Sequence, residues 1–118
     1  MSTQLTDLPC SKLFDLPKDT PLIDIRRETE FNTTGIIKGS FKLTFFDEFG
    51  NYDLEKWLHD FEQLVTTKDQ PFVLICAHAN RTRDVGTYLI NQLHYTNVYH
   101  LKGGIAQWIF EQREVVSP

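Results

Sequence analysis

Residues 72–76 read FVLIC, with Pro71 ahead and the polar stretch AHANR behind, and a helical pattern begins as soon as that stretch ends. No other feature constrains the fold as tightly. A strand that is apolar throughout is one covered on both faces. Strands and helices alternate along the rest of the chain, which makes the class α/β with a mostly parallel central sheet and helices on both faces. PLIDIR (21–26) is a second short apolar strand. RETEFN can form one short helix, Gly35 offers a stop or turn after it, and GSFKLTFF alternates enough for another strand. In NYDLEKWLHDFEQLVTTKDQ, Leu54, Trp57, Leu58, Phe61, Leu64 and Val65 fall on one helical stripe, and Asp53 is placed to cap it. The helix after the polar loop buries Val85, Tyr88, Leu89 and Leu93. Gly86 inside it costs about 1 kcal/mol against alanine, which points to close helix–strand packing. NVYHL is the last strand and GGIAQWIFEQ the last helix, with Ile105, Trp108 and Ile109 inward. The opening LPCSKLFDLPKDTP is broken by three prolines and allows one helical turn near 11–15. At 118 residues the chain supports one core, so a single domain over 1–118 is expected.

The formal charge of −4 argues against general nucleic-acid binding, since no net basic field draws in phosphates. MSTQLTDLPC lacks the basic start and apolar run of a signal peptide, and no stretch is long and apolar enough to span a membrane. The two cysteines, Cys10 and Cys76, stand in unlike contexts and do not make a disulfide framework, so a cytoplasmic protein with one chemically interesting thiol is expected. His59, His94 and His100 have no metal-ligand spacing, and neither metal nor cofactor is expected.

Cys76 falls at the carboxyl end of a strand, where ligands bind in sheets of this class. A tight curl through Ala77, His78, Ala79 and Asn80 into a helix near Arg81 or Thr82 turns backbone N–H groups toward its own centre, making an anion nest. The helix start adds the positive end of its dipole, and both favour a thiolate over a thiol. Arg81 supplies a fixed charge and a forked donor for an oxyanion. A lone cysteine closing an apolar strand is otherwise most often an inert buried side chain, and local physics alone leaves the two readings evenly weighed.

LIDIRRETEFNTTGIIKGS, VLICAHANRTRDVGTYLINQL and NVYHLKGGIAQW, in this order and spacing, resemble the rhodanese (thiosulfate sulfurtransferase) homology domain. Its patterns are L-I-D-V-R-x-x-x-E-[FY], C-x-x-G-x-R-[ST] and N-V-x-x-L-x-G-G-x-x-x-W, and the motif-bearing core covers roughly 20–112. The resemblance implies that Cys76 is a persulfide-forming nucleophile, with Arg81 and Thr82 as the loop's closing arginine and hydroxyl. It implies that Asp24, Arg26 and Glu28 brace the fold around the loop, and that Gly103, Gly104 and Trp108 are structural. The chain departs from the family at Ala77, where a basic residue is common, and at Ala79, where the loop glycine is common; alanine resists positive φ.

The implied activity is transfer of a sulfane sulfur from a thiosulfate-like anion to cyanide or a thiol, in two covalent steps. A persulfide carrier or sensor, or an interaction module of the same fold, is the alternative. The C-x4-R count separates this loop from the C-x5-R of phosphatases and arsenate reductases of the same fold, and Arg83 lies too far on to replace Arg81. His78 is expected at the rim, shaping donor access, and Asn80 as a brace through its amide. FKLTFFDEFGNY either folds back over the core or offers Phe45, Phe46 and Phe49 to a protein that supplies or accepts sulfur; the first reading is favoured.

Overall fold

The computed structural model describes residues 3–118. Five strands form one sheet in the order β1-β5-β4-β2-β3, every neighbouring pair parallel: β1 (Thr6–Leu8), β2 (Leu22–Asp24), β3 (Phe41–Lys42), β4 (Phe72–Ile75) and β5 (Val98–Leu101). Four α-helices follow the strands: α1 (Glu28–Thr34), α2 (Leu54–Leu64), α3 (Asn80–Leu93) and α4 (Gly104–Phe110). The turn expected near 11–15 is a 3-10 segment, Cys10–Asp15.

Parity along β4 divides the core. Phe72, Leu74 and Cys76 face α2 and α3, in a cluster with Trp57, Phe61, Val85 and Leu89. Val73 and Ile75 face the other way, toward Leu13, Leu101, Ile105 and Trp108. Both layers leave β4 fully buried, as an unbroken apolar run requires. Each such aliphatic or aromatic side chain contributes about 1.5–3 kcal/mol by leaving water. On the α2 side the rings interlock: Trp57 stacks on Phe61 at 4.9 Å between centroids, and Phe61 meets Phe72 edge-on at 5.0 Å. The Asp53 carboxylate accepts from the Lys56 N–H at 3.1 Å, which caps α2 as its sequence position indicates.

Three elements differ from the sequence reading. Thr6–Leu8 pairs with β5 as an edge strand, just ahead of the proline-broken segment, where no strand was expected. β3 is two residues long and exposed, although Leu43 and Phe45 extend the contact by donating to the carbonyls of Asp24 and Ile25. Ile109 is 43% exposed rather than inward, because α4 has room on its sheet face only for Ile105 and Trp108. Phe45 and Phe46 fold back against the core, whereas Phe49 stands 80% exposed. Beside Gly86, a Cβ would meet the Leu5 side chain at 2.7 Å, the close packing that its position in α3 suggested. No described helix is long and apolar enough to cross a membrane.

Candidate active site

Cys76 is the first residue past β4 and is 1% exposed. The register places Asp24 beside Ile75 and Leu74 beside His100, so the ends of β2, β4 and β5 converge on the thiol. The chain then turns through Ala77, His78 and Ala79 and enters α3 at Asn80. Ala79 makes this turn in the left-handed region, at φ 68° and ψ 12°, the conformation for which a glycine is the unstrained choice.

α4 fixes the loop from one side. The Ile105 and Ala106 N–H groups donate to the carbonyls of Cys76 and Ala77 at 2.9 and 3.0 Å. Gly104 sits at φ 66°, and a Cβ there would collide with the same two carbonyl oxygens. In a trans peptide the N–H points opposite to the C=O, so carbonyls turned toward α4 send the amides of Ala77 and His78 away from it. Among the described residues, no acceptor takes the N–H groups of Ala77, His78, Ala79, Asn80 or Arg81.

Arg81 is held from the opposite side. Its two terminal nitrogens donate to the two Glu30 carboxylate oxygens, each at 2.7 Å, so the fork expected to face an oxyanion is engaged across the gap between α3 and α1. The Arg81 guanidinium pulls the Glu30 carboxyl from an ordinary 4.5 down to about 2, helped by the Arg27 N–H and opposed by partial burial. The same pair raises Arg81 above its ordinary value. Glu28 is exposed and does not brace the loop; Glu30 is the acid that does. The sequence carried this signal, because the family pattern places its glutamate directly before an aromatic residue, and Glu30 precedes Phe31.

Asp24 and Arg26 meet at the end of β2. Both are buried, and Arg26 donates through Nε and Nη2 to the Asp24 carboxylate at 2.9–3.2 Å. Its remaining donors close on Thr34 Oγ1 and the Gly35 carbonyl, which ties the end of β2 to the end of α1. His78 and Asn80 are exposed at the rim, and His78 lines a cleft of about 280 Å³ with Glu30, Ala77, Ala106 and Ile109. Cys10 is buried among Leu8, Leu13 and Trp108 in the layer on the other side of the sheet from Cys76.

Thr82, the third residue of α3, is fully buried against the thiol. Its N–H donates to Cys76 Sγ at 3.4 Å, and the thiol donates to its Oγ1 at 3.4 Å. The same hydroxyl lies 2.8 Å from Nδ1 of the buried His100, whose Nε2 bonds the Asp7 carboxylate. The sequence reading considered His100 only as a metal ligand and left Asp7 unremarked. Strand parity was the available clue, since His100 shares the α3-facing side of β5 with Val98.

A parallel five-stranded sheet with a buried cysteine at the carboxyl end of a central strand, facing a helix start, defines an α/β domain built around a cysteine loop. The family model of the rhodanese-like domain matches residues 10–111, and the chain belongs to that family. It is 30% identical over 106 residues to the thiosulfate sulfurtransferase GlpE of Tolumonas auensis, covering 90% of this chain and 87% of that protein. It is 29% identical over 92 residues to the thiosulfate sulfurtransferase GlpE of Glaesserella parasuis, covering 78% of this chain and 73% of that one. In fold it resembles the crystal structure of a rhodanese-related protein from Thermoplasma volcanium, with a TM-score of 0.66 at 24% identity, covering 96% of this chain and 99% of the other.

Proposed function

We propose that the protein is a sulfurtransferase that carries a sulfane sulfur as a persulfide on Cys76. The observation that carries this reading is the seat of Cys76 Sγ, bonded by the Thr82 N–H at the mouth of a loop whose carbonyls and arginine are fastened outward. The Cys76 thiolate attacks the outer sulfur of a thiosulfate-like anion. A sulfur–sulfur bond forms to Sγ, the donor's own sulfur–sulfur bond breaks, and sulfite leaves with the electron pair. A thiol or cyanide then attacks the terminal sulfur and frees the Cys76 thiolate, so two-step kinetics follow. The amides of residues 77–81 and the start of α3 receive the charge on the terminal sulfur and on the departing sulfite. The work is cytoplasmic, with a small anion or a partner protein as donor.

Intact mass after thiosulfate treatment, beside Cys76→Ser, tests this reading. One added sulfur on the native chain, absent from the variant and released as thiocyanate by cyanide, is the expected result. No added sulfur on the native chain rejects thiosulfate as donor. The engagement of Arg81 by Glu30 favours a second reading, a persulfide carrier loaded by a donor other than thiosulfate, because the loop's one fork of donors is already taken. Sulfur loading by a protein or low-molecular-weight persulfide, with none from thiosulfate, is the outcome that reading requires.

A further inference from the structure

A continuous chain of polar groups runs from the thiol through the interior to the opposite side of β5. Cys76 Sγ meets Thr82 Oγ1 at 3.4 Å, Thr82 Oγ1 meets His100 Nδ1 at 2.8 Å, and His100 Nε2 meets Asp7 Oδ1 at 2.5 Å. Its three inner members are fully buried or nearly so, while the Asp7 side chain is 51% exposed on the edge strand β1. The surroundings are apolar, with Leu74 paired beside His100 and Val98 on the same face. A titratable ring in such a place is costly unless both nitrogens are bonded, and here both are.

We propose that Thr82, His100 and Asp7 form a proton path that serves Cys76, with His100 as a positioning residue that exchanges the thiol proton through the Thr82 hydroxyl. The proposal rests on Cys76 as the nucleophile. With Nε2–H donating to the Asp7 carboxylate, Nδ1 is left as an acceptor, and the Thr82 hydroxyl turns its proton toward it. Thr82 Oγ1 then takes the Cys76 proton as its own hydroxyl proton passes to Nδ1. The S–H bond breaks, an N–H bond forms, and nothing is oxidised or reduced. The product is a thiolate one hydroxyl away from an imidazolium whose charge Asp7 meets. The reverse transfer restores the thiol.

The groups facing this path are Asp7 from β1, Cys76 from the end of β4, and Arg83 from α3, with Arg81 and its partner Glu30 beyond the thiol. Burial holds His100 below its ordinary value, Arg83 adds to that, and Asp7 opposes both. The ring is therefore neutral at neutral pH, the state in which Nδ1 accepts.

The test is the rate of Cys76 alkylation by iodoacetamide against pH on the full chain, with peptide mapping to separate Cys10. The expected native profile has a low-pH shoulder from the thiolate–imidazolium pair. His100→Gln and Thr82→Val lose it, and Thr82→Ser keeps it. Asp7→Asn, at a half-exposed site, slides the shoulder upward by about one pH unit, tenfold in rate at a fixed pH on its slope. If His100→Gln fails to fold by thermal unfolding, Asp7→Asn decides alone. Profiles of Asp7→Asn and folded His100→Gln that superimpose on the native one overturn the proposal. No sulfur donor enters the assay, so failure of the persulfide reading and failure of the path are seen separately.

Discussion

Glu30→Gln tests the link between α1 and the cysteine loop, and the structure sets its size. The Glu30 and Arg81 side chains are each about a quarter exposed, joined by two bonds of 2.7 Å. The folded carboxyl lies at about 2 against 4.5 for an ordinary glutamate, a separation worth about 3 kcal/mol at neutral pH. The amide of a glutamine still accepts one bond from Arg81, which retains about 1 kcal/mol. The net loss is about 2 kcal/mol, or a fall in Tm of roughly 8 °C for a domain of this size.

The pH dependence gives the sharper test. The folded carboxyl is depressed, so its contribution is complete above the unfolded value of 4.5 and is lost as pH falls through about 2. Urea unfolding of the native chain and Glu30→Gln, from pH 7 to pH 2, is therefore expected to give two stability curves that run parallel down to about pH 5 and then converge. A gap that stays constant to pH 2, or no gap at pH 7, refutes the argument. The first outcome means that the variant lost packing rather than charge. The second means that water screens the pair as it does most surface ion pairs.

Two further substitutions probe the loop's backbone. Gly104→Ala puts a Cβ against the Cys76 and Ala77 carbonyls at φ 66°, so a stability loss of more than about 2 kcal/mol and slower thiosulfate loading are expected by urea unfolding and intact mass. Ala79→Gly relieves roughly 1–2 kcal/mol of left-handed strain but loosens the unfolded chain and removes one buried methyl, leaving stability within about 1 kcal/mol of the native chain. Ala79→Val, branched at the same positive φ, is expected to cost at least about 2 kcal/mol, and equal midpoints for the two variants exclude the left-handed turn.

What the sequence revealed depended on how far each signal reaches along the chain. FVLIC reads as a doubly covered strand because burial on both faces leaves no polar position in it. α2 reads well because its stripe repeats over three turns with a cap ahead of it. β1 does not, since a three-residue edge strand with one buried side chain has no period to detect, and neither does the two-residue β3. In α4, Trp108 and Ile109 are adjacent, and only packing decides which of them turns inward. The position of Cys76 at the end of β4 was legible, whereas the pairing of Asp24 with Arg26 came only from the structure. The Glu30–Arg81 and Thr82–His100–Asp7 contacts span 51, 18 and 93 residues, so local motif and parity could mark Glu30 and His100 as candidates but not pair them with their partners.

The long-range contacts also explain why a loop with alanine at its left-handed position keeps its shape. Ala79 supplies no conformational ease of its own, so the curl must be held by what surrounds it. The α4 amides take the carbonyls at its start, Glu30 takes the guanidinium at its end, and Thr82 takes the sulfur. Each of these anchors satisfies a polar group from outside the turn, while the turn's own amides keep no protein partner among the described residues. Such a division is costly for stability alone, since a loop that used its amides for internal bonds would be cheaper to bury. It is the arrangement expected of a seat for an anion, and on that ground the persulfide reading of Cys76 is stronger than that of an inert core thiol.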